Sequence, residues 1–370
     1  MKPKRLTHVA AFRAIRTNAP RFAATRSPSR TEQPMLTTNY HFVCAKLRGM
    51  RRKMFERASL ARLCECRRLE DVARETLPEH AAGDPLTLER YLTEAHVARL
   101  FSLAPLLGGR SRDLFLWLMR HYQLENLKVI LRCWANREPR AALARYTVRT
   151  PPTLGLPVDR LMEASDLAAF AAAVPVPSFR LTLERLSQAH QNTEDLYAFQ
   201  AALDRDYFAE LLRLADSLAR RQRLPTLPLV RFHAAIYDLL VLARGRLNYS
   251  LSFEDLVRPL VEVGEMLRKR QRRQIAAADG LDEVLDALPR QLRIAPPAES
   301  TLENLERALW TRLYRLANLT FYTSLFDLGA VVAFYYLKRI ELANLVRLLQ
   351  MVRRGVPPDE IRAAMIPPLA

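Results

Sequence analysis

The sequence predicts an all-α protein of three related helical units, and three observations carry that expectation. Glycine is scarce and proline is clustered, with ten Gly against 23 Pro in 370 residues. Between the proline clusters Leu, Ala, Arg and Glu dominate, all of them good helix formers. The alternation of β-branched and aromatic residues that marks strands is hard to find along the chain. A long apolar helix, a break and a small amphipathic helix recur in that order three times, the signature of an internal repeat.

The chain opens on a basic segment. Residues 1–34 hold eight Lys/Arg and one acid, Glu32, so +7 of the formal +18 lies there and +11 remains for the rest. An Arg-rich, Ser/Thr-rich, acid-poor composition fits a transit peptide, and it equally fits a disordered extension ahead of a start at Met35. Residues 1–35 are therefore set apart as an extension, followed by units at 36–148, 149–257 and 258–370.

In the first unit the helix around Tyr122-Gln-Leu-Glu-Asn126-Leu127 leads through a break to Ala141-Ala-Leu143. In the third, Ile340-Glu341-Leu-Ala-Asn344-Leu345 leads to Pro357-Pro-Asp359-Glu-Ile361. Asn126 and Asn344, Leu131 and Leu349, and Leu143 and Ile361 superpose at an ungapped offset of 218 that holds across 18 positions. The middle unit is an eroded copy at offset 105, aligned from Leu256 on Ile361, which puts Leu239 in place of the Asn and Arg244 in place of the Leu. An upstream marker repeats as well: Leu92, Leu203 and Leu309 stand 39, 41 and 40 residues before Leu131, Arg244 and Leu349. Proline-rich junctions at 150–157 and 295–297 break helices, because proline lacks the amide donor and clashes with the preceding turn. Ser165-Asp166 and Ser252-x-x-Asp255 read as N-caps of the runs that follow.

The residues that chemistry needs are missing as sets. Gly108-Gly109-Arg110-Ser111 lacks the lysine and the glycine spacing of a phosphate loop, and no Gly-x-Gly-x-x-Gly occurs. The seven His are dispersed with none at i,i+4, and Cys64-x-Cys66 finds no second pair to complete a zinc set. No catalytic, metal-ligating or cofactor-binding residue is assigned, and the chain is read as a non-enzyme. The block Arg268-Lys269-Arg270-Gln-Arg-Arg273 suits an anionic surface. Aromatic residues do not interleave it, as a nucleic-acid stacking platform would require. No stretch approaches the roughly 18 apolar residues of a membrane span; Leu328–Leu337 reads as a buried core helix, so any membrane contact is expected to be peripheral.

At this point the motifs resemble a family, the C/d central-stalk subunits of V/A-type (vacuolar/archaeal-type) rotary ATPases. Tyr40-His-Phe42-Val-Cys-Ala45-Lys-Leu47-Arg48-Gly-Met50 is similar to the family's opening helix. Leu203-Asp204-Arg205-Asp206-Tyr207-Phe208 is similar to its middle signature. The third unit, from Gly329 through Lys338-Arg-Ile-Glu341-Leu-Ala-Asn344 to Glu360-Ile361-Arg362, resembles its C-terminal pattern over some 35 residues. The resemblance spans about residues 36–366 and implies a three-lobed funnel with pseudo-threefold symmetry. It further implies a cytoplasmic, peripheral seat on the proteolipid rotor ring, engagement of the central shaft, and coupling of proton or sodium transport without catalysis. The contrasting reading is an all-α scaffold or a nucleic-acid-binding protein that uses the basic surface.

Candidate structural or partner-facing residues follow from both lines. Asn126 and Asn344 are expected to cap or bridge neighbouring helices, and Glu341 to pair with Lys338 or beside Arg339. Asp204 and Tyr207 belong to the middle signature, and Arg268, Lys269 and Arg270 form the basic block.

Overall fold

Helix-favouring composition punctuated by caps gives seventeen α-helices and no strand among the described residues. The computed structural model describes residues 39–77, 84–189, 196–261, 263, 266–294 and 299–369. The basic extension 1–35, the Ala-Pro-Pro at 295–297, and His8, His80 and His190 lie outside them. The first four helices are α1 (Tyr40–Arg51), α2 (Ala58–Cys64), α3 (Leu69–Thr76) and α4 (Pro85–Phe101). A long helix, α5 (Gly109–Ala135), is followed by the short α6 (Leu143–Tyr146), α7 (Val158–Met162) and α8 (Leu167–Ala173), and by α9 (Pro177–Ala189). Then come α10 (Leu196–Asp216), the long α11 (Arg220–Leu247), α12 (Phe253–Val257), α13 (Lys269–Ala277) and α14 (Leu281–Ala287). The last three are α15 (Leu302–Thr323), the long α16 (Leu328–Arg353) and α17 (Pro358–Ala364).

The caps explain where the helices start. Asn39, Asp84, Asp166, Ser252, Thr301 and Asp327 each accept a bond from a backbone amide of the following first turn, which satisfies donors the helix itself leaves orphaned. Gly109 takes a positive φ of 51° at the start of α5, so the Gly108-Gly109 pair serves a helix entry. The marker residues Glu89, Gln200 and Glu306 all stand one turn into their helices, α4, α10 and α15.

Three long helices dominate, with 27 residues in α5, 28 in α11 and 26 in α16. Each packs on a marker helix: α5 on α10, α11 on α15, and α16 on α4. The contact chain thus runs from each long helix to the next marker helix and closes on itself. From Leu328 through Glu341 every residue of α16 except Arg339 is buried. A second apolar cluster joins α2 and α3 to the C-terminal end, with Leu60, Leu63 and Val72 against Leu345, Leu348, Ile361 and Met365. Helices inside the span 36–148 therefore share a core with the last two helices of the chain.

In one respect the fold corrects the sequence reading. By length and composition α11 passes as a membrane span, with mean hydropathy 1.4 over an 18-residue window. That window is 67% buried in the fold, which is how a core helix reaches the same score. Its apolar content is masked in the sequence by Pro225 and Pro228 near its start and by the Arg residues at both ends.

Close packing makes one glycine specific. A Cβ on Gly329 would stand 2.5 Å from the Pro225 Cβ and 2.8 Å from an Asp327 carboxylate oxygen, so α11 and α16 approach there only through hydrogen. Gly329→Ala is expected to destabilise the protein by about 1–3 kcal/mol in urea unfolding. Gly49→Ala, exposed in the last turn of α1 with open space around it, should stabilise by roughly 0.5–1 kcal/mol.

Candidate functional site

A buried polar clamp closes the reversal after each long helix. Asn126 on α5 donates from Nδ2 to the Val148 carbonyl (2.7 Å) and accepts at Oδ1 from the Val148 amide (3.0 Å). Asn344 on α16 makes the same pair with Ile366, at 2.8 and 2.9 Å. Both clamps span 22 residues, and Val148 and Ile366 are themselves 218 apart. The carboxamide suits the task because it carries one acceptor and two donors on one short side chain.

The middle copy uses another residue than the sequence alignment placed there. Leu239 packs in the core, and its neighbour Asp238, fully buried, accepts from the Val261 amide at 2.8 Å across 23 residues. One additional residue in the connection shifts the polar position by one, and there a carboxylate oxygen accepts the amide bond that a carboxamide oxygen accepts in the other two copies.

With that register, five residues before each clamp stand His121, His233 and Arg339. The three converge on a shared centre. Arg339 Nη1 donates to His233 Nε2 at 3.2 Å. A guanidinium cannot accept, so Nε2 carries no proton, and the hydrogen of His233 lies on Nδ1 and is donated to the Tyr336 hydroxyl oxygen at 3.3 Å. The guanidinium also lies 5.2 Å from the centre of the Trp310 ring and within hydrogen-bonding reach of the Tyr335 hydroxyl. Burial, reinforced by Arg339, holds His233 and His121 well below the usual histidine range, and His96 is pushed the same way by burial and by Lys338. All three are neutral at neutral pH.

Tyrosines tie the centre together. The hydroxyls of Tyr207 on α10 and Tyr335 on α16 both donate to the Leu118 carbonyl of α5, at 3.3 and 3.0 Å. Trp117 returns a bond from its indole nitrogen to the Tyr207 carbonyl at 2.9 Å and stacks on the Tyr207 ring. His96 Nε2 and the Tyr122 hydroxyl are 2.8 Å apart.

Toward the C-terminal ends of the long helices, polar contacts cross to the marker helices. Lys128 on α5 pairs with Asp204 on α10 at 2.9 Å and with Glu125. Burial pushes the Asp204 carboxyl up while Lys128 pulls it back. Arg244 on α11 pairs with Glu306 on α15, and Gln350 on α16 bonds to Glu89 on α4 at 3.2 Å. Glu341 is buried with Lys338 as an ion pair, and its second oxygen accepts from the Phe55 amide at 2.7 Å. Burial lowers the Lys338 ammonium from the ordinary lysine range, with Glu341 opposing.

The candidate residues thus divide. Asn126, Asp204, Tyr207, Glu341 and Asn344 all have bonds inside the fold. Arg268, Lys269 and Arg270 stand exposed at the start of α13, away from the centre, where the helix dipole opposes positive charge. The sequence pattern does not mark His233, Trp310 or Asp238, and it names Arg339 only as a neighbour of Glu341. A one-residue shift of the middle register is the signal that finds His233 and Asp238. Among the described residues no group of three or more His, Cys, Asp or Glu could hold a metal ion. Burial raises the thiols, that of Cys64 to about 11.

Residues 43–364 match the family described as ATP synthase (C/AC39) subunit. The chain is 24% identical over 353 residues to the C subunit of the A-type ATP synthase of Methanocaldococcus jannaschii, covering 88% of this chain and 86% of that protein. It is 21% identical over 340 residues to the C subunit of the A-type ATP synthase of Thermococcus kodakarensis, covering 88% and 90%.

Two outcomes follow for the buried charges. Glu341→Ala strands the Lys338 ammonium and the Phe55 amide, and should cost about 3–5 kcal/mol in urea unfolding; Lys338→Met with Glu341→Leu should cost less than Glu341→Ala alone, since no charge is left buried. For His96 and His233 the folded state excludes a proton that the unfolded state binds below about pH 6.5. Their contribution is complete above that pH and declines as pH falls, by about 1.4 kcal/mol per pH unit for each histidine. Unfolding free energies at pH 7.5 and 5.5 should show this slope, and His233→Gln should flatten it.

Proposed function

The chain belongs to the ATP synthase (C/AC39) subunit family, and on that premise we propose that it is the non-catalytic central-stalk coupler of a V/A-type rotary ATPase. In this reading the three helical units form a funnel with pseudo-threefold symmetry. It sits peripherally on the cytoplasmic face of the proteolipid rotor ring and receives the foot of the central shaft, so that torque and proton or sodium transport are linked through it. The units keep the order of the sequence spans 36–148, 149–257 and 258–370, with α2 and α3 folding back to complete the third.

One observation supports the arrangement above others: the contacts α5–α10, α11–α15 and α16–α4 make a closed cycle of long helix on marker helix. A cycle of three like contacts is what a rotational arrangement of three like units produces. The repeated clamps at Val148, Val261 and Ile366 recur once after each long helix. A transmitter of torque also needs a stiff body, and densely packed helices tied across units by buried tyrosines and ion pairs resist shear.

The test is capture of the proteolipid ring and of the shaft subunits by the tagged full chain. Both should be retained, and failure to retain either overturns the coupler. Reversing Arg268, Lys269 and Arg270 to Glu should weaken one of the two captures roughly tenfold at low salt and little at high salt, as screened charges do. Unchanged capture of both removes that block from the interface.

A further inference from the structure

Several inward-drawn cations in this fold are matched to carboxylates, whereas Arg120 rests on Gln123 and the Trp117 ring. Lys128 has Asp204 and Glu125, Lys338 has Glu341, and Arg51 has Glu56 at 3.1 Å. Arg339 differs. It is inserted among Tyr335, Tyr336, His233 and Trp310, and no acidic side chain is paired with it among the described residues. Aromatic faces and neutral nitrogens relieve only part of the cost of taking a guanidinium out of water.

Arg339 is also reached from outside. It is the one residue between Leu328 and Glu341 that is not buried. Along α16 Arg339, Ala343, Val346 and Gln350 lie at i, i+4, i+7 and i+11 on one accessible stripe, with Leu342 and Arg347 accessible on its flanks. On α5 the positions 218 earlier, His121, Glu125, Lys128 and Arg132, are accessible in the same way, and the His121 side chain keeps 19% exposure. These stripes do not face the clamps, which lie on the opposite side of each helix with Asn126 and Asn344. Their members reach toward the neighbouring units instead, Lys128 to Asp204 and Gln350 to Glu89. Each stripe therefore carries one of the residues that meet at the centre, His121 on α5 and Arg339 on α16.

We infer that Arg339, flanked by the imidazoles of His121 and His233, is a carboxylate seat on the partly accessible stripe of α16, and that its occupant is one acidic group on the inserted foot of the central shaft. The inference rests on the coupler reading and specifies the chemistry of its shaft contact. A carboxylate fits because the guanidinium has N–H groups beyond the one given to His233, and a planar fork of donors binds a carboxylate with short, charge-assisted bonds. Glu125 and Asp204 are engaged with Lys128, and Glu125 also stands 3.9 Å from His121 Nδ1, so neither pairs with Arg339.

The experiment compares the full wild-type chain with Arg339→Gln and Arg339→Lys. Affinity for the purified shaft subunits is measured by calorimetry, and thermal stability of each free chain is measured alone and with glutarate as a small dicarboxylate probe. Arg339→Gln should bind the shaft roughly tenfold or more weakly, the scale of one charged hydrogen bond, while its free chain is no less stable than wild type. Arg339→Lys should fall between. Glutarate should raise the melting temperature of the wild type and leave that of Arg339→Gln unchanged. Equal shaft affinity of wild type and Arg339→Gln overturns the seat and leaves the coupler standing. Wild type that ignores the shaft yet is stabilised by glutarate overturns the coupler and the occupant but keeps the anion site. Failure of both Arg339 variants to fold identifies the guanidinium as structural support and also overturns the inference.

Discussion

Each long helix must end in a reversal that is held at one depth, and a buried side chain clamping a backbone amide some 22 residues downstream does this. The bond is local to neither partner. It ties the middle of a helix to a segment that has already left it, passed through a short helix and returned. A buried amide without an acceptor costs about 1–3 kcal/mol, so loss of the clamp penalises the reversal directly. Because the clamp fixes the rotation of each long helix about its axis, it also fixes which residues lie on the face away from it. His121, His233 and Arg339 come together for that reason, five positions before Asn126, Asp238 and Asn344.

Much of this was legible in the chain. Leu131 and Leu349, Leu143 and Ile361, and the marker leucines Leu92, Leu203 and Leu309 are all buried, and their spacing alone exposed the repeat. Ser252 and Asp166 cap the helices their positions suggest. The middle clamp was not legible, because alignment on Leu256 and Ile361 carries no information about an extra residue upstream of them. Apolar positions tolerate a one-residue slip on a helix face better than a hydrogen bond does. The packing of α2 and α3 against α16 and α17 was hidden for a different reason. It joins residues nearly 300 positions apart, such as Glu65 and Arg362, and no local period reports on such a contact.

The inner charges show how two requirements were reconciled. Stiffness favours burying polar groups only when they are satisfied, since a half-satisfied network is weaker than an apolar core. Tyr207 and Tyr335 meet this by sharing the Leu118 carbonyl, which locks helices from three different segments to one oxygen. Lys338 and Glu341 meet it by neutralising each other and holding the Phe55 amide. The histidines meet it by remaining neutral. Arg339 keeps a full charge beside His233 and Trp310, as Arg120 does beside Gln123 and Trp117, and its side chain remains partly accessible.

On the proposed coupler reading, that asymmetry bears on how a body of three like units would hold one shaft in one orientation. Three identical inner positions would offer an inserted helix three equivalent registers and would let it slip among them under load. Here two of the three carry neutral imidazoles and the third a guanidinium. A hydrogen bond to a charged donor contributes about 1.5–3 kcal/mol against about 1 for a neutral one, so an acidic group prefers one position by more than thermal energy. On the proposed reading, the repeat supplies the shape of the receptacle and the departure from repetition at Arg339 selects the register. The same logic explains why erosion of the middle copy is tolerated at its clamp. Asp238 preserves the reversal after α11, while His233 five positions earlier matches His121 and the third copy departs with Arg339.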